Sequence, residues 1–438
     1  MLNTNITFMA LIMENINKCL SHSYMQHYKK ANHKSIEKLV QYIRKNAHMK
    51  HFESGSYHLN QIPTCGCRYR FRSGSICGCS MCNLSDQSNQ LYAYMQALSE
   101  RNRGLYIKVI QDIILKVKGQ VDTLSAHEFI FAYNTLDSEE LPDELLSLFF
   151  TDKGLYRRRP LSYEIETRID SVNEERLKKL KQLAGKNPVW LRFGIETSDE
   201  TIRNSWLNKN ITNHQIKQAI QLCKSYGFHI SANILLGLPG ITEDLSLQFT
   251  KQTILELLDW QVDKIIVSVL SRTNHTLQHY IWSQLQDTIL DKFGIVQGSH
   301  TGVPWLFTCV RLLHWIQTEC NQSKISFGQF VPDYLQKECT VAYNFSPECS
   351  CNKIIAHALN EFAFQSDWKI PVELSKTLSK HFCHCYKEYD KILERQRSLS
   401  SIQDNMRVIA KELARKMYGY NWESFYSTFL KEIQNKNI

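Results

Sequence analysis

The sequence predicts an α/β protein built on a parallel sheet, with helical segments before and after it along the chain. Three observations carry this reading. From about residue 57 to 285, short runs rich in β-branched and aromatic residues alternate with amphipathic stretches, the pattern of strands joined by helical crossovers. Four of these runs end or continue in polar or glycine-rich residues, which a buried sheet does not need and a shared pocket over the strand ends does. Beyond about residue 286 the alternation stops and helical spacing takes over. The chain therefore divides into a helical N-terminal extension (1–56), a core (57–285) and a mostly helical C-terminal lobe (286–438).

Taken in order, SIEKLVQYIRKNAH places Ile36, Leu39, Val40 and Ile43 at helical spacing, so the extension reads as one or two surface helices whose lysines are solvated. The core runs are EFIFAYN (128–134), LSYEIETR (161–168), VWLRFGIET (189–197), FHISANILLGLP (228–239) and VDKIIVSVLS (262–271). Between them, NEERLKKLKQLAG and TNHQIKQAIQLCKSYG read as amphipathic helices. The residues closing the runs are Asn134 and Thr135 with Asp137, Glu166 with Arg168, Glu196 with Thr197, and Gly237-Leu238-Pro239-Gly240. In parallel α/β folds ligands sit at this edge of the sheet. The basic run Tyr156-Arg157-Arg158-Arg159-Pro160 reads as a solvated surface segment.

Bulk properties narrow the class. No apolar run approaches the roughly 20 residues that a bilayer requires, so the expectation is a cytoplasmic protein with no membrane contact. Of fourteen cysteines in 438 residues, nine cluster as C-x-C and C-x-x-C pairs without an export signal, which favours metal binding over disulfides. The net charge of +9 suits a polyanionic partner such as RNA, but it is spread over the whole chain and many enzymes are this basic.

The segment CGCRYRFRSGSICGCSMCNL holds Cys67, Cys79 and Cys82, with two thiolates on one tight turn and a third arriving across an eleven-residue loop. Spacing alone allows an iron–sulfur cluster with three ligands, or a zinc site made of Cys65, Cys67, Cys79 and Cys82. Position separates them, because the loop lies just ahead of the alternating segment and so over its strand ends. Here the chain resembles the radical S-adenosylmethionine (radical SAM) superfamily, over about residues 57–285, in the branch related to the Elongator catalytic subunit.

The resemblance implies a partial (β/α)6 TIM-type barrel. It implies a [4Fe–4S] cluster on Cys67, Cys79 and Cys82 whose open iron chelates S-adenosylmethionine, and reductive cleavage of that cofactor to a 5′-deoxyadenosyl radical. An electron donor such as flavodoxin or ferredoxin follows from the same chemistry. Asn134 stands at the second-strand position that meets the methionine amino group, although the usual Gly-Gly-Glu is replaced by Asn-Thr-Leu-Asp. Glu166 and Arg168 match the third-strand acid and its neighbour, Glu196 the fourth-strand position, and Gly237 the glycine turn that passes near adenine. Cys65 and Cys77 have no role in this scheme, and either could replace Cys67.

Narrower stretches, GCSMCNL, NTLDSEELPDELL, YEIETRIDSVNEERL, IETSDETIRNSWLNKNIT and the later VPWLF, resemble the radical SAM subunit of archaeosine synthase. That likeness implies a transfer RNA substrate, a partner enzyme, and carbon–nitrogen bond cleavage in a lysine adduct of a 7-deazaguanine base. A radical SAM maturase of a peptide or natural product is the alternative among enzymes. A zinc-stapled RNA-binding protein without radical chemistry is the alternative outside them. The pairs Cys349-Ser350-Cys351 and Cys383-His384-Cys385, about thirty residues apart, predict a four-thiolate site for structural zinc or an auxiliary iron–sulfur cluster, with His381 or His384 as substitutes.

Overall fold

The computed structural model describes residues 8–54, 57–72, 75–82, 89–117, 127–150, 160–285, 303–320, 322–328, 339–340, 342–344, 346, 348–378 and 383–435. The basic run at 156–159 and His381 lie outside them. The strands are β1 (Lys50–Ser54), β2 (Tyr57–Gln61), β3 (Phe71–Arg72), β4 (Ser75–Ile76), β5 (His127–Phe131), β6 (Ser162–Thr167), β7 (Val189–Glu196), β8 (His229–Leu236), β9 (Lys264–Val269), β10 (Arg272–Thr273), β11 (Ile325–Phe327) and β12 (Cys339–Thr340).

One eight-stranded sheet, ordered β1-β2-β5-β6-β7-β8-β9-β11, organises the molecule. β1 pairs antiparallel with β2, and every other neighbouring pair in it is parallel. The six strands from β2 to β9 form the anticipated partial (β/α)6 barrel. Two strands were not anticipated: β1, from ahead of residue 57, and β11, from beyond residue 285, extend the sheet at its two edges. Both are short and carry polar residues, so their alternation is too brief to register as a sequence pattern.

The helices between strands start and stop where their caps dictate. Asn173 caps Glu174–Ala184 through Arg176 N, and Gly185 ends it at φ +61°. Thr212 and Gln215 form a reciprocal capping box on Asn213–Ser225, satisfying two amide donors that a helix start leaves without partners. Their apolar faces bury Leu177, Leu180, Ile216 and Ile220. Fully burying each such side chain is worth about 1.5–3 kcal/mol.

Two outer parts close over the barrel. The N-terminal helix Phe8–Asn32 packs Leu20 and Tyr24 with Tyr92 and Ala93, and the Tyr24 ring lies 5.1 Å from that of Phe71. At the far end, helix Ile402–Tyr418 meets the turn after β8, where Thr242 N donates to Asn405 Oδ1 at 2.9 Å. Among the described residues no helix is long and apolar enough to cross a membrane.

Candidate active site

A cavity of about 300 Å³ opens over the C-terminal ends of β2, β6 and β7. Its lining includes Cys67, Cys79 and Cys82 together with Glu166, Arg168, Glu196 and Lys209. Six of the residues singled out in the sequence thus face one space.

The long interval between Cys67 and Cys79 folds as a hairpin. Arg70 N and Phe71 N donate to Cys67 O at 2.9 and 3.0 Å, β3 pairs antiparallel with β4, and Cys77 N returns to Arg70 O at 2.8 Å. Gly66 and Gly78 take φ of +85° and +91° at its two ends; a Cβ on Gly78 would sit 3.1 Å from the backbone of Tyr69 and Arg70. The hairpin therefore returns the chain to its starting point and delivers Cys79 and Cys82 beside Cys67. Cys65 and Cys77 do not line the cavity: Cys65 is buried in the main core, and Cys77 Sγ donates to Tyr69 O at 3.5 Å.

The turn Cys79–Cys82, closed by Cys82 N donating to Cys79 O at 3.1 Å, is moored to the segment after β7. Ser80 N donates to Leu207 O at 2.9 Å, Ser80 Oγ to Trp206 O at 2.8 Å, and Asn208 Nδ2 to Gly78 O at 2.8 Å. The π-helix Ile202–Trp206 and the left-handed residues Asn208 and Asn210 shape this mooring. Asparagine tolerates that conformation better than most residues.

Charged groups ring the thiols. The Arg168 guanidinium stacks 3.9 Å over the Tyr69 ring and stands 3.6 Å from Cys79 Sγ, while donating to Asp170 at 2.9 Å and to Lys209 O at 3.0 Å. Lys209 Nζ donates to Glu196 Oε1 at 2.8 Å, with both side chains 9% exposed. Burial alone would lower the Lys209 ammonium; Glu196 holds it above its ordinary value. Glu196 itself adopts φ +67° at a bulge in the β7–β8 pairing. Gly194 makes room for the pair, since a Cβ there would lie 2.8 Å from Glu196 Oε1 and 3.1 Å from Lys209 Nζ.

Burial pushes the Glu166 carboxyl up to about 7, with Arg192 opposing and Glu196 and Glu164 adding to the rise. By register Glu166, Arg192, Ser231 and Lys264 follow one another across the same face of the sheet. Arg192 Nε donates to Glu164 Oε1 at 2.6 Å, giving a polar floor beyond the cavity. Tyr92 and Tyr133 form an aromatic wall, their hydroxyls 2.7 Å apart.

Asn134 and Gly237 take different places. Asn134 is buried beside the cavity and holds the end of β6: its Oδ1 accepts from Arg168 N at 3.0 Å and Thr167 Oγ1 at 2.9 Å. Gly237, at φ +92°, faces Pro304, whose Cγ would lie 2.2 Å from an added Cβ. It borders a separate small cleft against the C-terminal lobe.

Several residues here escaped the sequence reading. Lys209 sits in an asparagine-flanked loop, and only its Asn-Lys-Asn context hints at left-handed turns around a held side chain. Glu140, buried and accepting from Thr64 Oγ1 at 3.0 Å, is held well above its ordinary value by burial. No sequence signal separates it from its acidic neighbours in DSEELPDELL.

The donor set suits an iron–sulfur cluster. Three soft sulfur donors share one cavity, and burial pushes the Cys67 thiol up to about 12, with Glu140 adding and Arg168 opposing. A thiolate there needs a cation beside it. A partial barrel with three cysteines over its strand ends defines a class, and residues 62–246 match the sequence profile described as the radical SAM superfamily. Residues 62–246 therefore carry a radical SAM domain. That class uses S-adenosylmethionine and an iron–sulfur cluster and requires a reductant.

Among particular relatives, the chain is 23% identical over 363 residues to an uncharacterised protein, MJ0550, of Methanocaldococcus jannaschii, covering 82% of this chain and 89% of that one. It is 22% identical over 334 residues to archaeosine synthase subunit beta of Methanosarcina acetivorans, covering 75% and 82%. A solved structure of Elp3 from Methanocaldococcus infernus, with an N-terminal deletion (1–46), aligns over 60% of this chain and 58% of that one, at 12% identity and a TM-score of 0.39.

Proposed function

We propose that Cys67, Cys79 and Cys82 hold a [4Fe–4S] cluster and that the enzyme modifies a nucleoside in transfer RNA, in the manner of archaeosine synthase. The observation that carries this reading is the convergence of three thiols, two acids and two cations on one cavity. When bound, the cluster supplies the electron that cleaves the sulfonium carbon–sulfur bond of S-adenosylmethionine. The chain's own residues bind and orient. Arg168 and Lys209 are the cations, and Glu166 and Glu196 the acids, available to a zwitterionic amino-acid moiety. Tyr92 and Tyr133 restrict water on one side.

Support for an RNA substrate comes from the relatives named archaeosine synthase subunit beta and from the net charge of +9. Anaerobic reconstitution with iron and sulfide, reduction, and chromatography for 5′-deoxyadenosine test the first half. Absence of that product from protein with a full cluster would overturn it. Transfer RNA carrying a lysine adduct of 7-deazaguanine tests the second half: conversion to the amidine is expected together with a partner enzyme, and 5′-deoxyadenosine formation indifferent to this RNA would reject it.

A further inference from the structure

Nothing in the active site uses the second group of cysteines, which gathers four sulfurs in one place. The Sγ atoms of Cys349, Cys351, Cys383 and Cys385 all lie within 4.8 Å of one another. Among the described residues no other cluster of three or more cysteine, histidine or carboxylate ligands comes so close together. From this arrangement we infer that the C-terminal lobe holds one zinc ion on four thiolates, as a structural centre distinct from the barrel's cluster.

The size of the group selects a single ion. Four sulfurs each about 2.3 Å from one tetrahedral centre stand about 3.8 Å apart. Thiolates on the separate irons of a four-iron cube stand further apart, because each sulfur projects outward from its own corner. Four crowded sulfurs therefore fit one closed tetrahedral site, the coordination that structural zinc adopts.

The surroundings are those of metal thiolates. Each pair straddles a helix start: Cys349 is the N-cap of Ser350–Gln365 and Cys383 that of His384–Gln396. The positive ends of both helix dipoles favour thiolate charge. Two N–H groups point at sulfur, Asn344 Nδ2 at 3.3 Å from Cys351 Sγ and Ser346 N at 3.3 Å from Cys385 Sγ. Asn344 is held in turn by Asn352 Oδ1, which accepts from its backbone N at 2.6 Å. Such bonds offset the two net negative charges that four thiolates leave on a divalent ion. Cys351 and Cys385 are buried and Cys349 and Cys383 half-buried, so solvent has little access to a fifth ligand position.

The ion would tie the C-terminal lobe to the barrel. The helix that begins at Cys383 carries Tyr389, whose hydroxyl lies 2.9 Å from Thr308 Oγ1 and accepts from Arg311 at 3.1 Å. Arg311 also pairs at 2.6 Å with Asp244, on the helix after β8. Fixing the helix start fixes this chain of contacts.

Metal analysis of the full chain, expressed with both metals available and reconstituted anaerobically, tests the assignment. One zinc per chain is expected beside about four irons, with X-ray absorption at the zinc edge giving four sulfur neighbours. Cys351→Ser with Cys385→Ser should lose the zinc, keep the iron and lower the melting temperature. If that variant does not fold, cobalt in place of zinc in the unaltered chain should give the intense visible bands of tetrahedral tetrathiolate cobalt. About eight irons and no zinc, zinc retained by the double variant, or cobalt without those bands would overturn the proposal. The zinc count stands or falls independently of 5′-deoxyadenosine formation.

Discussion

The two cysteine groups differ in what surrounds the sulfurs. Around Cys67, Cys79 and Cys82 the neighbours are side chains brought from several strand ends, Arg168 from β6, Glu196 from β7 and Lys209 from the loop beyond, and they face an open cavity. Around Cys349, Cys351, Cys383 and Cys385 the neighbours are the other sulfurs, two N–H donors and the starts of two helices. The first arrangement leaves room for a ligand, and the second fills its own space. A site for chemistry needs groups that the metal alone cannot supply, whereas a structural site needs only to close.

Breaking the first group should have the largest effect. Cys79→Ala or Cys82→Ala should reduce 5′-deoxyadenosine formation to background and lower bound iron, while zinc content stays at the unaltered level; paired metal analysis and chromatography check both. Next comes Lys209→Met. Removing one partner of a buried, hydrogen-bonded ion pair costs about 3–5 kcal/mol, so a marked loss of stability in denaturant and a raised KM for S-adenosylmethionine are expected, with the iron retained.

Glu166 sharpens the contrast through pH. Its carboxyl sits at about 7 in the folded protein, above its ordinary value of 4.5. The folded state therefore binds more protons than the unfolded state between these values. This contribution is fully present below pH 4.5 and is lost as pH rises through 7, with a slope of at most about 1.4 kcal/mol per pH unit. Glu166→Gln should remove that component from a pH series of denaturant melts. The smallest effect is expected at the second group: Asn344→Ala deletes one N–H···S bond and should cost about 1 kcal/mol. It should lower the melting temperature slightly while leaving 5′-deoxyadenosine formation within twofold.

The barrel was legible because its strands are long and buried. LSYEIETR lies within one residue of β6, and FHISANILLGLP contains β8 and runs three residues past its end; their periodicity reflects a sheet covered by helices. The cysteine triad and the acids of β6 and β7 were legible because polar residues closing apolar runs have few structural reasons to be there. What stayed hidden depends on contacts across the chain. Lys209 reaches Glu196 only because the π-helix turns the loop back, and Asn134 serves Arg168 through a backbone amide. Gly237 matched a glycine turn by pattern, but which surface that turn would face depended on Pro304, far along the chain.

The hairpin between Cys67 and Cys79 changes what the distance between two ligands in sequence means. Its stem is closed by pairing between Arg70 and Cys77 and between Phe71 and Ile76, so the separation of the sulfurs in space is set at the base and not by the length of the arms. Residues gained or lost in opposed pairs between Arg72 and Ser75 would preserve the register below them, whereas a single insertion would disturb the pairing. Counting residues between cysteines is thus a poor ruler for this loop. In this chain, the paired stem predicts that residues inserted two at a time at the tip would leave the ligands in place.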